Sequence, residues 1–230
     1  MYFTHADAIW NLHPSLRALA VVAEDVRDAK EDPTALERLA TAVKERQSGA
    51  AEAEMPEIAA WREAFSRMGL KPTQYRCASE ALLRRYRKTQ EMPKFHPVVD
   101  YLNHVSMAFG IPIAAFDCGR VAEGITVRPA LGTENYLTFQ GETEHPGEGE
   151  VVFADPEGHA HSRRWTYRQS ARSVVSAETG RVLIVAEAHH DTALDDLRAM
   201  EAELRAGLPA IGAGVGPSAL MSSPQRFEFV

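Results

Sequence analysis

Cysteine is scarce: Cys77 and Cys118 are the only two in 230 residues. That excludes a disulfide framework and a four-cysteine zinc site. Long apolar runs are missing as well, and none approaches the ~18 residues of a membrane-spanning helix. The opening MYFTHADAIW has neither a basic start nor an apolar stretch behind it, so no secretory signal is expected and the expected compartment is the cytoplasm. The G-x-S-x-G elbow, the G-x-x-x-x-G-K-[ST] loop and H-E-x-x-H are all absent. Gly212, Gly214 and Gly216 follow a helical pattern rather than a strand, which argues against a dinucleotide fingerprint. Positive charge is short overall, at net −7, whereas a sequence-blind coat for nucleic acid is basic.

What is present is an ordinary globular composition, 45% hydrophobic and 25% charged, with enough chain for a real core. The charge is uneven. Residues 76–94 carry net +4, residues 161–181 carry net +4, and the remainder holds −15. Screening confines each patch to about 8–10 Å, so an acidic body can still meet a polyanion locally. The competing reading is two solvated faces.

The apolar stretch 16–26 suits a buried strand, with a short helix as the alternative. Asp32 as cap, Pro33 at the first turn and Leu36, Leu39 and Val43 in phase predict a helix over 34–47. Further helices are expected around Ile58–Met68, Ser79–Lys88 and Pro97–Phe109, the last closed by Gly110. From 112 to 190, short apolar runs alternate with turn residues, a β-region. Residues 192–206 return to helix, with Gly207 as the expected stop, and 207–230 read as a Gly/Ala/Pro/Ser-rich tail. Within that tail Phe227 and Phe229 alternate as an edge strand would. Helices first and strands later predict one α+β domain over 1–206, with N-terminal helices packed on a mixed or antiparallel β-sandwich and a helix near the C-terminus.

Several residues stand out chemically. His159, His161, His189 and His190 are competent ligands by type, but their spacing matches no established zinc pattern, and no metal or other cofactor is expected. Glu187 ends the apolar run RVLIVAEA, and a carboxylate there needs a partner or a ligand. It either pairs with Arg163, Arg164 or Arg168, or faces a pocket. Asn103 sits inside a helix, where its amide competes with the backbone, three residues after Asp100.

The stretch S-E-A-L-L-R-R-Y-R-K…M-P-K-F-H-P-V-V-D-Y-L-N-H-V-S-M-A-F-G-I-P-I-A-A-F-D (79–117) resembles the B3/B4 editing domain of the phenylalanyl-tRNA synthetase β subunit, and more closely its free-standing relatives. I-T-V-R-P-A (125–130), G-E-V-V-F-A-D (149–155), R-R-W-T-Y-R-Q-S (163–170) and E-T-G-R-V-L-I-V-A-E-A (178–188) follow in order, and H-P-S-L-R-A-L-A-V-V (13–22) and W-R-E-A-F (61–65) fit the free-standing form, so the likeness covers about residues 10–205. In the synthetase this module hydrolyses tyrosine wrongly esterified to tRNA for phenylalanine. The resemblance implies a pocket with Asn103 and Glu187 as catalytic residues and Asp100, Ala114, Ala115 and Trp165 as substrate contacts. Asn103 matches the pocket asparagine, Glu187 falls near a glutamate that reads the tyrosine hydroxyl, and Ala114 stands where the bacterial synthetase carries a histidine. The implied activity is hydrolysis of mischarged aminoacyl-tRNA in trans, or of a related ester or amide. Arg84, Arg85, Arg163 and Arg164 are the candidate phosphate contacts, since guanidinium pairs bidentately with phosphate. A non-catalytic tRNA-binding module and a binder of a free aromatic amino acid are the alternatives.

Overall fold

Residues 18–23 are completely buried in β2 (Arg17–Glu24), so the apolar run is a strand covered on both faces, as its lack of alternation requires. The computed structural model describes residues 1–230. Before β2 come β1 (Tyr2–His5) and α1 (Asp7–Leu12). Helices α2 (Pro33–Gly49), α3 (Pro56–Arg67), α4 (Ala78–Thr89) and α5 (Pro97–Phe109) follow. The Asp32 carboxylate accepts from the amides of Thr34 and Ala35, and Pro33 opens α2, as expected. Strands β3 (Ile113–Asp117), β4 (Gly124–Pro129), β5 (Tyr136–Leu137), β6 (Thr143–Glu144), β7 (Val151–Ala154), β8 (Ala160–Arg163), β9 (Arg168–Gln169) and β10 (Val182–Ala188) make up the β-region. Helix α6 (Ala193–Ala210) and strands β11 (Gly214–Met221) and β12 (Arg226–Glu228) complete the chain.

The strands form an antiparallel sheet in the order β11-β2-β10-β3 and a second, mixed sheet in the order β12-β1-β4-β7-β8-β9. In the second sheet β1 runs parallel to β4 and the other pairs are antiparallel. A hairpin of β5 and β6 stands apart. The first sheet is buried on both faces, and strand parity divides its side chains between two cores. Leu19, Val21, Ile184 and Ala186 pack on α5 and α6, against Leu102, Val105, Met200 and Leu204. Ala20, Val22, Leu183 and Val185 face the second sheet, where Phe3, Ile125, Val127 and Phe153 meet them, and α3 and α4 close that core with Trp61, Phe65 and Leu83. Each aliphatic side chain so enclosed contributes about 1.5–3 kcal/mol. The architecture is α+β.

The stretch after Gly207 is not a tail. Helix α6 runs on to Ala210, and Gly207 is a point of close approach, because a Cβ there would collide with the Tyr101 hydroxyl. Beyond it, β11 pairs with β2 along one edge of the central sheet. Strand β12 pairs with β1, with Phe227 and Phe229 buried, as their alternation suggests.

Candidate functional site

Two cavities meet where β3, the edge strand of the first sheet, passes β9, the edge strand of the second. Ile113 and Gln169 contribute to the walls of both, and the Gln169 side-chain amide donates to the Ala115 carbonyl at 2.7 Å. That bond ties the two sheets together at the open end of the sandwich.

The larger cavity, about 280 Å³, lies on the α5 side. Helix α5 buries Val98, Leu102 and Val105 on the central sheet. Val99 and Asn103, one turn apart, fall at the edge of that stripe and face the cavity together. Its remaining walls are apolar, among them Leu102, Ala115 and Val175, and the exposed rings of Phe95 and Phe139 form its rim. Asn103 and Gln169 are its only polar residues. The Asn103 amide has no hydrogen-bond partner in the protein. This is a pocket for an apolar group, with neutral amides to orient a carbonyl or a water.

The smaller cavity, about 70 Å³, lies inside the sandwich and holds Ala114, Trp165 and Glu187, with Pro112 from the turn after α5. Glu187 is 1% exposed. Its oxygens accept from His5 Nε2 at 2.6 Å and Trp165 Nε1 at 2.9 Å, and its backbone carbonyl accepts from Trp61 Nε1 at 3.1 Å. The buried carboxylate thus has the partners its position demands, but none of the three arginines considered from the sequence is among them. Trp165 and its neighbour Arg164 both have left-handed backbones, φ +57° and +47°, which strains each by about 1–2 kcal/mol. Burial of the Trp165 ring, its bond to Glu187 and its packing on His13, Trp61 and His189 at 4.8–5.3 Å hold the turn in place. Burial, reinforced by the Arg67 charge, pushes the His13 imidazole down to about 4. Burial, then the neighbouring His13 and Arg67, pushes His189 down to about 3. Both rings are neutral at pH 7.

The sequence candidates therefore separate. Asn103 and Ala115 share the larger cavity, and Ala114, Trp165 and Glu187 share the smaller. Asp100 reaches neither, because its carboxylate turns back to accept the Phe95 amide at 3.0 Å, and burial raises its pKa. Arg163 is withdrawn from any phosphate. It is buried on β8, and its guanidinium is held by Glu150 at 2.8 and 3.0 Å and by Glu144. Arg164 lies 4.9 Å over the Tyr75 ring, and Arg85 projects into solvent without an ion-pair partner.

Arg84 donates to Glu80, a carboxylate on its own helix that is 0% exposed. Arg62 from α3 meets the same oxygen at 2.8 Å, and Arg76 approaches it at 3.6 Å. The histidines separate too. His159 and His161 pair with Asp155 at 3.2 and 3.1 Å. Although burial raises the Asp155 carboxyl, bonds from His161 and from the amides of His159 and Ala122 hold it well below the usual range. His190 bonds Asp196 at 2.8 Å beside Glu57, where Arg46 supplies the counter-charge at 2.9 Å. Gln169, His5, Arg62 and the two rim phenylalanines are the site neighbours that sequence reasoning missed. Gln169, Phe95 and Arg62 had a signal, since the R-R-W-T-Y-R-Q-S, M-P-K-F-H-P and W-R-E-A-F stretches contain them.

Residues 60–200 match the family model for the B3/4 domain. Forty-nine residues, 21% of this chain, are 49% identical to the phenylalanine–tRNA ligase beta subunit of Coxiella burnetii, and 60 residues are 42% identical to that of Aquifex aeolicus. These segments span 6% and 8% of those longer proteins. The crystal structure of an N-terminal fragment of the phenylalanyl-tRNA synthetase beta-subunit from Pyrococcus horikoshii superposes with a TM-score of 0.46 at 12% identity, over 93% of this chain and 49% of that one. With the matched range running from within α3 into the first half of α6, more than half of the chain, this chain belongs to the B3/4 domain family.

Proposed function

We propose that this chain hydrolyses aminoacyl esters of tRNA in trans, with the aminoacyl group in the larger cavity. The observation that carries the reading is the pairing, in a B3/4 domain, of an apolar 280 Å³ pocket with the unpartnered amide of Asn103. The ester is already activated, so the protein needs only to position it, direct a water at the carbonyl carbon and stabilise the developing oxyanion. Asn103 orients the carbonyl or the water, and Gln169 holds the β3 edge in place. No carboxylate, imidazole or thiol lines this cavity. The attacking water therefore loses its proton to a substrate oxygen or to solvent, and the ribose oxygen leaves protonated. Glu187 supports Trp165 from below and stays out of the reaction.

The lack of an acid or base in the cavity equally favours a second reading, a module that binds aminoacyl-tRNA without cleaving it. A free amino acid is a poorer occupant, because it adds a carboxylate charge that the ester lacks, and that charge would meet only two neutral amides. Incubation with a panel of correctly and incorrectly charged tRNAs tests both readings. Deacylation of one or more members is expected. Binding without deacylation across the panel would leave the second reading.

A further inference from the structure

Glu80 is the one fully buried carboxylate in the chain approached by three guanidiniums. Arg62, Arg76 and Arg84 converge on a single oxygen of it, from α3, from the loop before α4 and from α4 itself. One negative charge is thus set against three positive ones, leaving a local excess of +2. The arginines are not sealed in: their side chains are 23%, 38% and 41% exposed. Nor are their donors exhausted. Arg84 uses Nε on Glu80, while both terminal nitrogens are free. Arg62 uses one terminal nitrogen, on Glu80 and the Pro72 carbonyl, and Arg76 uses one on the Thr73 carbonyl while its Nε is buried against Glu80, which leaves its second terminal nitrogen free. Each guanidinium carries five N–H groups in a rigid fork. A buried anion that hydrogen-bonds two such forks, draws a third to 3.6 Å and leaves all three side chains partly exposed is a preorganised receptor for anionic oxygens.

The surroundings narrow the anion. Tyr75, next to Arg76, packs edge-on to Tyr167 at 5.2 Å, and Arg164 lies over the Tyr75 ring. Arg168 is exposed beside Tyr167 on the wall of the smaller cavity, which Ala78 of α4 also lines. Cations interleaved with half-exposed aromatic rings suit a single-stranded polynucleotide, whose phosphates take the forks and whose bases stack on the rings. We infer that Arg62, Arg76 and Arg84, held by Glu80, form a phosphodiester-binding site. It grips the single-stranded end of a polynucleotide whose terminal group lies on the other side of Gln169. The identity of that terminal group rests on the function proposed above; the phosphate site does not.

The test uses the full chain and an R62Q/R76Q variant, which leaves Arg84 on Glu80 so that the buried carboxylate keeps a partner. Affinity for uncharged tRNA is measured against salt concentration, and melting is measured with and without inorganic pyrophosphate. Removing two phosphate contacts should make the log–log salt slope shallower by about 1.4 and weaken binding by roughly tenfold or more at moderate salt. Pyrophosphate should raise the melting temperature of the parent more than that of the variant. If the double variant does not fold, R76Q alone, at the most loosely held of the three arginines, should shift the slope by about 0.7. An unchanged slope overturns the proposal, as does a pyrophosphate effect that is lost in a variant whose tRNA slope is unaltered, since that describes a small-phosphate site. Deacylation with an unchanged slope sinks this site but not the proposed activity. A shallower slope without deacylation sinks the activity but not this site.

Discussion

Glu187 and Glu80 are both buried beyond the reach of water, and they are served in opposite ways. Glu187 sits in the sandwich with two donors for its two oxygens, one imidazole and one indole. Glu80 sits under the surface with three arginines on one oxygen. The first arrangement is saturated and closed, so it fixes geometry: His5, Trp165 and the strained turn at Arg164. The second leaves one Glu80 oxygen without a hydrogen-bond partner and gathers three guanidiniums on the other, so positive charge exceeds negative where the arginine side chains are partly exposed. A buried carboxylate is therefore no functional signal by itself. The count and direction of its partners decide whether it anchors the fold or displays charge.

Acid should break the comparison most strongly, because two imidazoles held neutral by burial pack on Trp165 in the first region. His13 and His189 titrate near 4 and 3 in the folded chain, against about 6.5 when unfolded. Between those values the unfolded state binds more protons, so their contribution is complete above pH 6.5 and is lost as pH falls toward 4 and below. The loss by pH 4 should be on the order of 5 kcal/mol, read from urea titrations at several pH values. A flat profile from pH 7 to 4 would show that these rings are not held neutral. Next in size, Glu187→Ala strands His5 and Trp165 and should destabilise by about 3–5 kcal/mol. A loss below ~1 kcal/mol would move Glu187 out of the anchoring class. Glu80→Gln should cost less, about 1–3 kcal/mol, and should weaken tRNA binding less than R62Q/R76Q does, since the arginines remain but lose the anion that fixes them. Binding tighter than the parent's would mean that net charge matters more than fixing the guanidiniums. The smallest stability change is expected for Asn103→Ala, within ~1 kcal/mol, with deacylation reduced roughly 100-fold. A variant that melts early yet turns over normally would make Asn103 structural.

The separation of these regions was only partly visible in the sequence. Asn103 was readable because an asparagine between apolar helix positions is locally unfavourable and so asks for a cause. Glu187 was readable as a carboxylate in need of partners, but those partners were not. His5 is 182 residues away in the chain, and only the pairing of β10 with β2 and the placement of β1 bring it close. Arg163 and Arg164 look alike in a charge count, yet Arg163 is the last residue of β8, opposite Val152, and is drawn in to Glu150, while Arg164 begins the turn. Arg62 drew no notice because its role depends on α3 lying beside α4. The segment after Gly207 reads as loop in sequence because glycine, proline and serine score so. On β11 those small residues allow close approach, and a Cβ at Gly216 would already touch Val22. The helix boundaries and the β-region, set by local capping and periodicity, were the most legible parts.

Successive residues of β3 point to opposite faces of its sheet, so Ala114 lines the smaller cavity and Ala115 the larger. Each is in register with a neighbour on β10, Ala114 with Val185 and Ala115 with Ile184. The two chambers can therefore be retuned independently by single substitutions one peptide apart. A bulkier side chain at Ala114 would fill the 70 Å³ space beside Trp165 without touching the chamber of Asn103, and one at Ala115 would shrink the 280 Å³ chamber while leaving the Glu187 network alone. A one-residue insertion in this strand would exchange the two linings outright. The two chambers are thus addressable by separate letters of the sequence, and a library confined to positions 114 and 115 would vary them along separate axes.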